Sequence, residues 1–140
     1  MDEKSRAVEE FSKEKIRILI VDNHAMFRQS LRELLKSQED MVVVAEAEDG
    51  EASVRLAEEL SPDVILMDIN MPGMNGIHAT RAIRSRLPDS IVIGLSMFDA
   101  ADMAEEMIGA GACGYIEKSG VPEALFEAIR TSCRKRRNPD

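Results

Sequence analysis

From Ile16 to Arg134 the chain alternates short apolar runs with longer amphipathic stretches. Ile16–Val21, Met41–Ala45, Val64–Met67, Ile91–Leu95 and Gly114–Ile116 are short and mostly rich in β-branched or long aliphatic residues, as buried strands require. Between them the apolar residues return at helical spacing. Ala25–Ser37 carries Met26, Phe27, Leu31, Leu34 and Leu35. Ala52–Leu60 carries Val54, Leu56, Ala57 and Leu60, and Gly76–Leu87 carries Ile77, Ala79, Thr80 and Ile83. Ala100–Ala110 is rich in Met and Ala and is closed by Gly111. Pro122–Arg134 starts on a proline, which the first turn of a helix accepts. Asp49-Gly50, Pro62 and Pro88-Asp89 punctuate the series. Five strand–helix repeats with nearly continuous apolar strands predict an α/β fold, a doubly wound parallel sheet with helices on both faces.

At 140 residues the chain fits one domain with one core. That domain is placed at residues 16–134. Residues 1–15 form an N-terminal linker or extension, and 135–140 a basic C-terminal tail. A hydrophobic share of 44% and a charged share of 31% are ordinary for a globular protein. No apolar stretch reaches the ~18 residues of a membrane span, and no secretory leader opens the chain, so a cytoplasmic protein without membrane contact is expected. Cys113 and Cys133 lie far apart and lack metal-ligand spacing, and are read as reduced thiols. The net charge of −8 argues against direct nucleic-acid binding. Arg134-Lys135-Arg136-Arg137 is read as a solvated helix end, where cations suit the negative pole. Most of the nine methionines are read as core filling, with Met103 and Met107 on the core side of their helix.

Three charged residues stand where apolar runs end: Asp22, Asp68 and Lys118. In open parallel sheets ligands bind beyond the carboxyl ends of the strands, where the strand order reverses. For the order 2-1-3-4-5, right-handed crossovers bring the ends of strands one and three together, and with them Asp22 and Asp68. Ser96 and Lys118 follow strands four and five on the same rim. Neighbouring carboxylates repel unless a cation sits between them, and oxygen ligands at a wet rim suit Mg²⁺. A carboxylate beside a metal and a lysine is a trap for a phosphoryl group, with the Asp as nucleophile. The Ser96 hydroxyl is placed to bond a phosphoryl oxygen. His24 and His78 have no metal partner in sequence and are read as outside this chemistry.

The segments Val21-Asp22-Asn23-His24, Leu66 to Gly76, Leu95-Ser96 and Gly114 to Lys118, in that order and each at a strand end, resemble a response-regulator receiver domain over about Arg17 to Ser132. The resemblance implies a CheY-like, flavodoxin-like (βα)5 fold. It makes Asp68 the phosphoacceptor, Asp22 a member of the acidic metal pocket, and Asn70 a backbone-carbonyl ligand of Mg²⁺. Ser96 takes the place of the switch hydroxyl, Lys118 that of the phosphate-binding lysine, and Tyr115 that of the rotating aromatic. The implied partner is a histidine kinase or phosphotransfer protein, and a homodimer stays open. Such a domain is not an enzyme in the turnover sense, although it assists its own phosphorylation and dephosphorylation. Subfamily cues point to the NarL/FixJ type, or to receivers at the C-terminal end of hybrid kinases. Only 22 residues follow Lys118, so no second domain is expected there. A stand-alone protein, a kinase fragment and a truncated regulator all remain open.

Two departures stand out. Most receivers place two acids after the first strand, and the second contacts the metal; here the pair is Asp22-Asn23. Asn23 offers an oxygen without charge, so metal affinity is expected to fall. A degenerate, phosphorylation-independent interaction module is the alternative this raises. Lys118-Ser119 also replaces the common Lys-Pro, so no cis bond is expected. Two other classes fit less well. An Asp-nucleophile phosphatase needs a second acid two residues on, where Asn70 stands. A flavin binder needs a hydroxyl- and glycine-rich loop after strand one, which Asn23-His24-Ala25-Met26-Phe27 is not.

Overall fold

The computed structural model describes residues 15–71, 73–97 and 101–137. Strands and helices alternate as β1 (Ile16–Val21), α1 (Ala25–Lys36), β2 (Met41–Ala47), α2 (Gly50–Leu60), β3 (Val64–Asp68), α3 (Gly76–Arg86), β4 (Ile91–Ser96), α4 (Ala101–Ala110), β5 (Gly114–Glu117) and α5 (Pro122–Arg137). The five strands form one sheet in the order β2-β1-β3-β4-β5, and every pair is parallel. This is the doubly wound, flavodoxin-like arrangement. The readings of Met1 to Glu14, Pro72, Phe98, Ala100 and 138–140 lie outside the described residues.

Successive strand residues point to opposite faces, and both faces of this sheet are covered. Leu19, Val21, Ile65, Met67 and Val92 pack with Val54 and Ala57 of α2, Ile77, Ala79 and Ile83 of α3, and Met107 and Ala110 of α4. Ile18, Ile20, Val64, Leu66, Ile93 and Leu95 pack on the other side with Leu31 and Leu35 of α1 and Leu125, Phe126 and Ile129 of α5. β1, β3 and β4 are therefore apolar along most of their length, which is why they read as continuous runs rather than alternations.

Helix starts follow local hydrogen-bonding rules. Asp49 caps α2 by accepting from the Ala52 N–H at 2.8 Å, and Asn75 caps α3 by accepting from the His78 N–H at 2.9 Å. Three sequence readings need correction. Met26 is 83% exposed and Leu34 39%, so the buried stripe of α1 is Leu31 and Leu35, with Phe27 partly covered. β2 runs two residues beyond Ala45, because the ladder with β1 continues through Glu46 and the buried Ala47; Glu46 also pairs with Arg28 and Arg32 of α1. α5 continues to Arg137, past the expected end at Arg134; Arg136 is partly buried there, pairing with Asp63 at 2.9 Å. Arg134 and Lys135 are exposed, as a solvated helix end should be. Cys113 is exposed and Cys133 is buried. Among the described residues, no helix is long and apolar enough to cross a membrane.

Candidate functional site

Parallel register builds the site. Val21 of β1 stands beside Met67 of β3, so the next residues, Asp22 and Asp68, emerge side by side. Asp68 is level with Leu95, and Ser96 is level with Glu117. The main chains are then tied together just past the strand ends. The Asp22 N–H donates to Ala47 O at 3.0 Å, the Ile69 N–H to Leu95 O at 3.0 Å, and the Lys118 N–H to Ser96 O at 2.7 Å. Gly76 closes the back of the site. A Cβ there would lie 2.2 Å from the Asp68 carbonyl oxygen, so only glycine lets α3 begin this close to β3.

The two acids are held by the same local device. Asp22 Oδ1 accepts from the His24 N–H at 2.8 Å, and Asp68 Oδ1 accepts from the Asn70 N–H at 3.1 Å. Each is a turn in which the side chain binds the main chain two residues on. Each turn uses Oδ1 and leaves Oδ2 facing inward. Lys118, its side chain 3% exposed, reaches back so that Nζ lies 2.5 Å from Asp22 Oδ2 and 3.4 Å from Asp68 Oδ2. The two buried inward oxygens thus share one ammonium as their partner. The lysine stem is steadied by Phe27, whose ring centroid is 4.7 Å from Nζ.

Asp22 is fully buried, and Asp68 and Ser96 are each 2% exposed. Burial pushes the Asp68 carboxyl above the ordinary 3.8, and the charge of Asp22 pushes the same way. Lys118 and the Asn70 N–H act in the opposite sense without cancelling the rise. Two carboxylates against one ammonium leave a buried negative charge. Asp22, Asp68 and His24 also present ligand atoms within 4.8 Å of one another. Two buried carboxylates that share one ammonium, and so keep net negative charge, fit a divalent cation.

The structure thus brings Asp22, Asp68 and Lys118 into contact, with buried Ser96 ending β4 on the same rim. Tyr115 is half-buried in β5, while Asn23 and Asn70 have exposed side chains. Three participants were not foreseen from sequence. His24 sets its Nδ1 3.1 Å from Asp22 Oδ1. Phe27 underlies Lys118. Arg28 donates to the Asp22 carbonyl oxygen at 2.5 Å and pairs with Glu46 at 3.2 Å. The Asp-x-His spacing was the available signal for His24, since Asp favours side-chain turns to the residue two positions on.

A sheet of this order, with acids ending β1 and β3 and a lysine ending β5, defines a class, and comparison with known proteins agrees. Residues 18–130 match the response regulator receiver domain family. The chain belongs to that family, the receivers of two-component response regulators. It is 43% identical over 122 residues to the transcriptional regulatory protein DegU of Brevibacillus brevis, covering 87% of this chain and 52% of the relative. It is 44% identical over 119 residues to the transcriptional regulatory protein LiaR of Bacillus subtilis, covering 85% and 56%. The chain spans about half the length of these curated relatives. Among solved structures, a two-component response regulator of the LuxR family from Aurantimonas superposes with a TM-score of 0.82 at 36% identity, covering 86% of both chains.

Proposed function

We propose that this chain is a working phosphoacceptor: Asp68 takes a phosphoryl group from a phosphohistidine on a histidine kinase or phosphotransfer protein. The observation that carries the reading is the pair of inward Oδ2 atoms converging on Lys118 Nζ at the carboxyl edge of the sheet. In the proposed step a carboxylate oxygen of Asp68 attacks phosphorus, the P–N bond to the donor imidazole breaks, and the imidazole leaves with the bonding pair. Asp22 and Asp68, with the Asn70 carbonyl, would hold Mg²⁺. The metal would supply positive charge to the phosphoryl oxygens as they crowd against the carboxylate. Lys118 leaves its split contact with the two acids to meet the incoming phosphoryl group. Ser96 donates its hydroxyl to the same group and moves inward, and Tyr115 follows, reshaping the surface of α4, β5 and α5 that a partner reads. The event is small and local, and works by biasing a bistable element. A cytoplasmic setting follows from the proposed donor.

The test is incubation with a small phosphodonor and Mg²⁺, read by intact mass. Wild type gains one phosphoryl group and Asp68→Ala gains none. An unlabelled wild type sinks the reading. Asn23 favours one alternative, a phosphorylation-independent interaction module, because this exposed amide stands where most receivers carry a second acid. Absence of Mg²⁺-dependent shifts in the backbone amides around Asp22 and Asp68 at millimolar metal favours that alternative.

A further inference from the structure

The cluster around Asp22 and Asp68 contains a nitrogen donor that the family reading does not use. His24 is carried by the loop between β1 and α1, its side chain 63% exposed and its Nδ1 3.1 Å from Asp22 Oδ1. Its ligand atom lies within 4.8 Å of those of both acids. That spread is close to what one ion can gather, since ligand bonds of about 2.0–2.2 Å allow two donors to stand about 4 Å apart across it. The two buried Oδ2 atoms of the same acids share the single ammonium of Lys118, which leaves the pair with net negative charge for a cation to meet. Asn23, exposed and uncharged, withholds the additional hard anionic ligand that an all-oxygen Mg²⁺ site would use. We infer that His24 supplies a further protein ligand of this site, beside Asp22, Asp68 and the Asn70 carbonyl, and shifts its preference from Mg²⁺ toward a borderline first-row dication such as Co²⁺ or Zn²⁺.

The chemistry follows from donor softness. Imidazole adds little for Mg²⁺, which holds its waters and favours oxygen, but binds the later first-row dications well. The ring needs only to give up its contact with Asp22 Oδ1 to face an ion held by both carboxylates. The Asp22 turn survives this, because the His24 main-chain N–H, not the ring, holds Oδ1 at 2.8 Å. The inference rests on the metal-dependent receiver reading above, and deepens it by changing which cation the receiver takes.

The experiment is calorimetric titration of the full chain with Co²⁺ alone and Mg²⁺ alone, on wild type, His24→Ala, His24→Gln and Asn23→Asp. His24→Ala is expected to weaken Co²⁺ by about tenfold or more, the scale on which ligand environments set metal affinity, while Mg²⁺ stays within about twofold. His24→Gln should not restore the Co²⁺ affinity, because it returns an oxygen and not a nitrogen. Asn23→Asp should tighten Mg²⁺ and narrow the gap between the metals. In parallel, Co²⁺ should broaden the ring resonances of His24 and spare those of His78. An unchanged Co²⁺/Mg²⁺ preference in His24→Ala, in a protein that binds both and accepts phosphoryl groups, overturns the role of His24 alone. Failure of wild type to bind either metal or accept a phosphoryl group overturns the receiver chemistry, and this inference with it.

Discussion

Asp68 is expected to be a residue the fold is less stable for having. Its carboxylate is 2% exposed, 3.4 Å from Lys118 Nζ, and within 4.8 Å of the ligand atom of Asp22. At an effective dielectric of about 20, the lysine attracts it by about 5 kcal/mol, and Asp22 repels it by about 3.5 kcal/mol or more. The two nearly offset, and dehydration of the carboxylate, on the order of several kcal/mol, is left uncompensated. Asp68→Asn removes the charge, keeps the acceptor for the Asn70 N–H, and leaves Lys118 paired one to one with Asp22. The new amide nitrogen must face an ammonium, which returns part of the gain. The net expectation is a stabilisation of about 1–2 kcal/mol, or roughly 3–8 °C in Tm for a chain of this size. The pH dependence has a definite sign. Because the native carboxyl is held above 3.8, its contribution to stability is fully present below pH 3.8 and is lost as pH rises through the native value. The advantage of Asp68→Asn should therefore be small near pH 4 and grow to a plateau above the native value. Urea unfolding followed by circular dichroism, in EDTA at pH 4 and pH 7.5, measures both. Equal or lower stability of Asp68→Asn at pH 7.5, or an advantage that does not change with pH, refutes the reasoning.

Gly76→Ala should cost about 2–3 kcal/mol in urea unfolding, because the new Cβ would meet main-chain atoms at 2.2 and 2.9 Å that cannot swing away. Asp40 makes a two-pronged contact with Arg130, at 2.8 Å to each oxygen, which holds the loop before β2 to α5. The hydrogen bond from Arg130 keeps the Asp40 carboxyl below 3.8, so its contribution is present above pH 3.8 and fades as pH falls through the native value. Both partners are substantially exposed, so Asp40→Asn should cost only about 0.5–1 kcal/mol at pH 7. That cost should shrink in high salt and in acid, and a salt-independent loss would point to packing instead.

The frame of the molecule was legible because two periodicities agree. Strands buried on both faces must be apolar throughout, and β1, β3 and β4 are; helices facing a sheet must repeat near every third or fourth residue, and α3 does with Ile77, Ala79, Thr80 and Ile83. Parallel topology then converts chain position into spatial position, so Asp22, Asp68 and Lys118 were readable as neighbours from where their runs stop. What was not legible depends on directions that periodicity does not encode. Leu34 shares helical spacing with Leu31 yet is 39% exposed, since apolar spacing alone does not tell where the sheet ends beneath a helix. Glu46 is a charged residue inside β2, in register with Ile20 and met by two arginines of α1, a contact between elements and not a propensity.

The site shows the same division more sharply. Residue identity says that two carboxylates and a lysine meet, but the chemistry depends on which oxygen of each carboxylate is free. That is decided by the two turns that bind Oδ1 of Asp22 to the His24 N–H and Oδ1 of Asp68 to the Asn70 N–H. Each turn commits one oxygen to the loop and presents the other to Lys118, so one lysine must serve two inward oxygens and can neutralise only one of the two charges. A better-paired site would be a more stable one, and would leave a cation or a phosphoryl group less to gain by entering. The residual negative charge therefore suits this rim to an entering cation, and under the proposed receiver chemistry Asn23 and His24 are the residues that would select it.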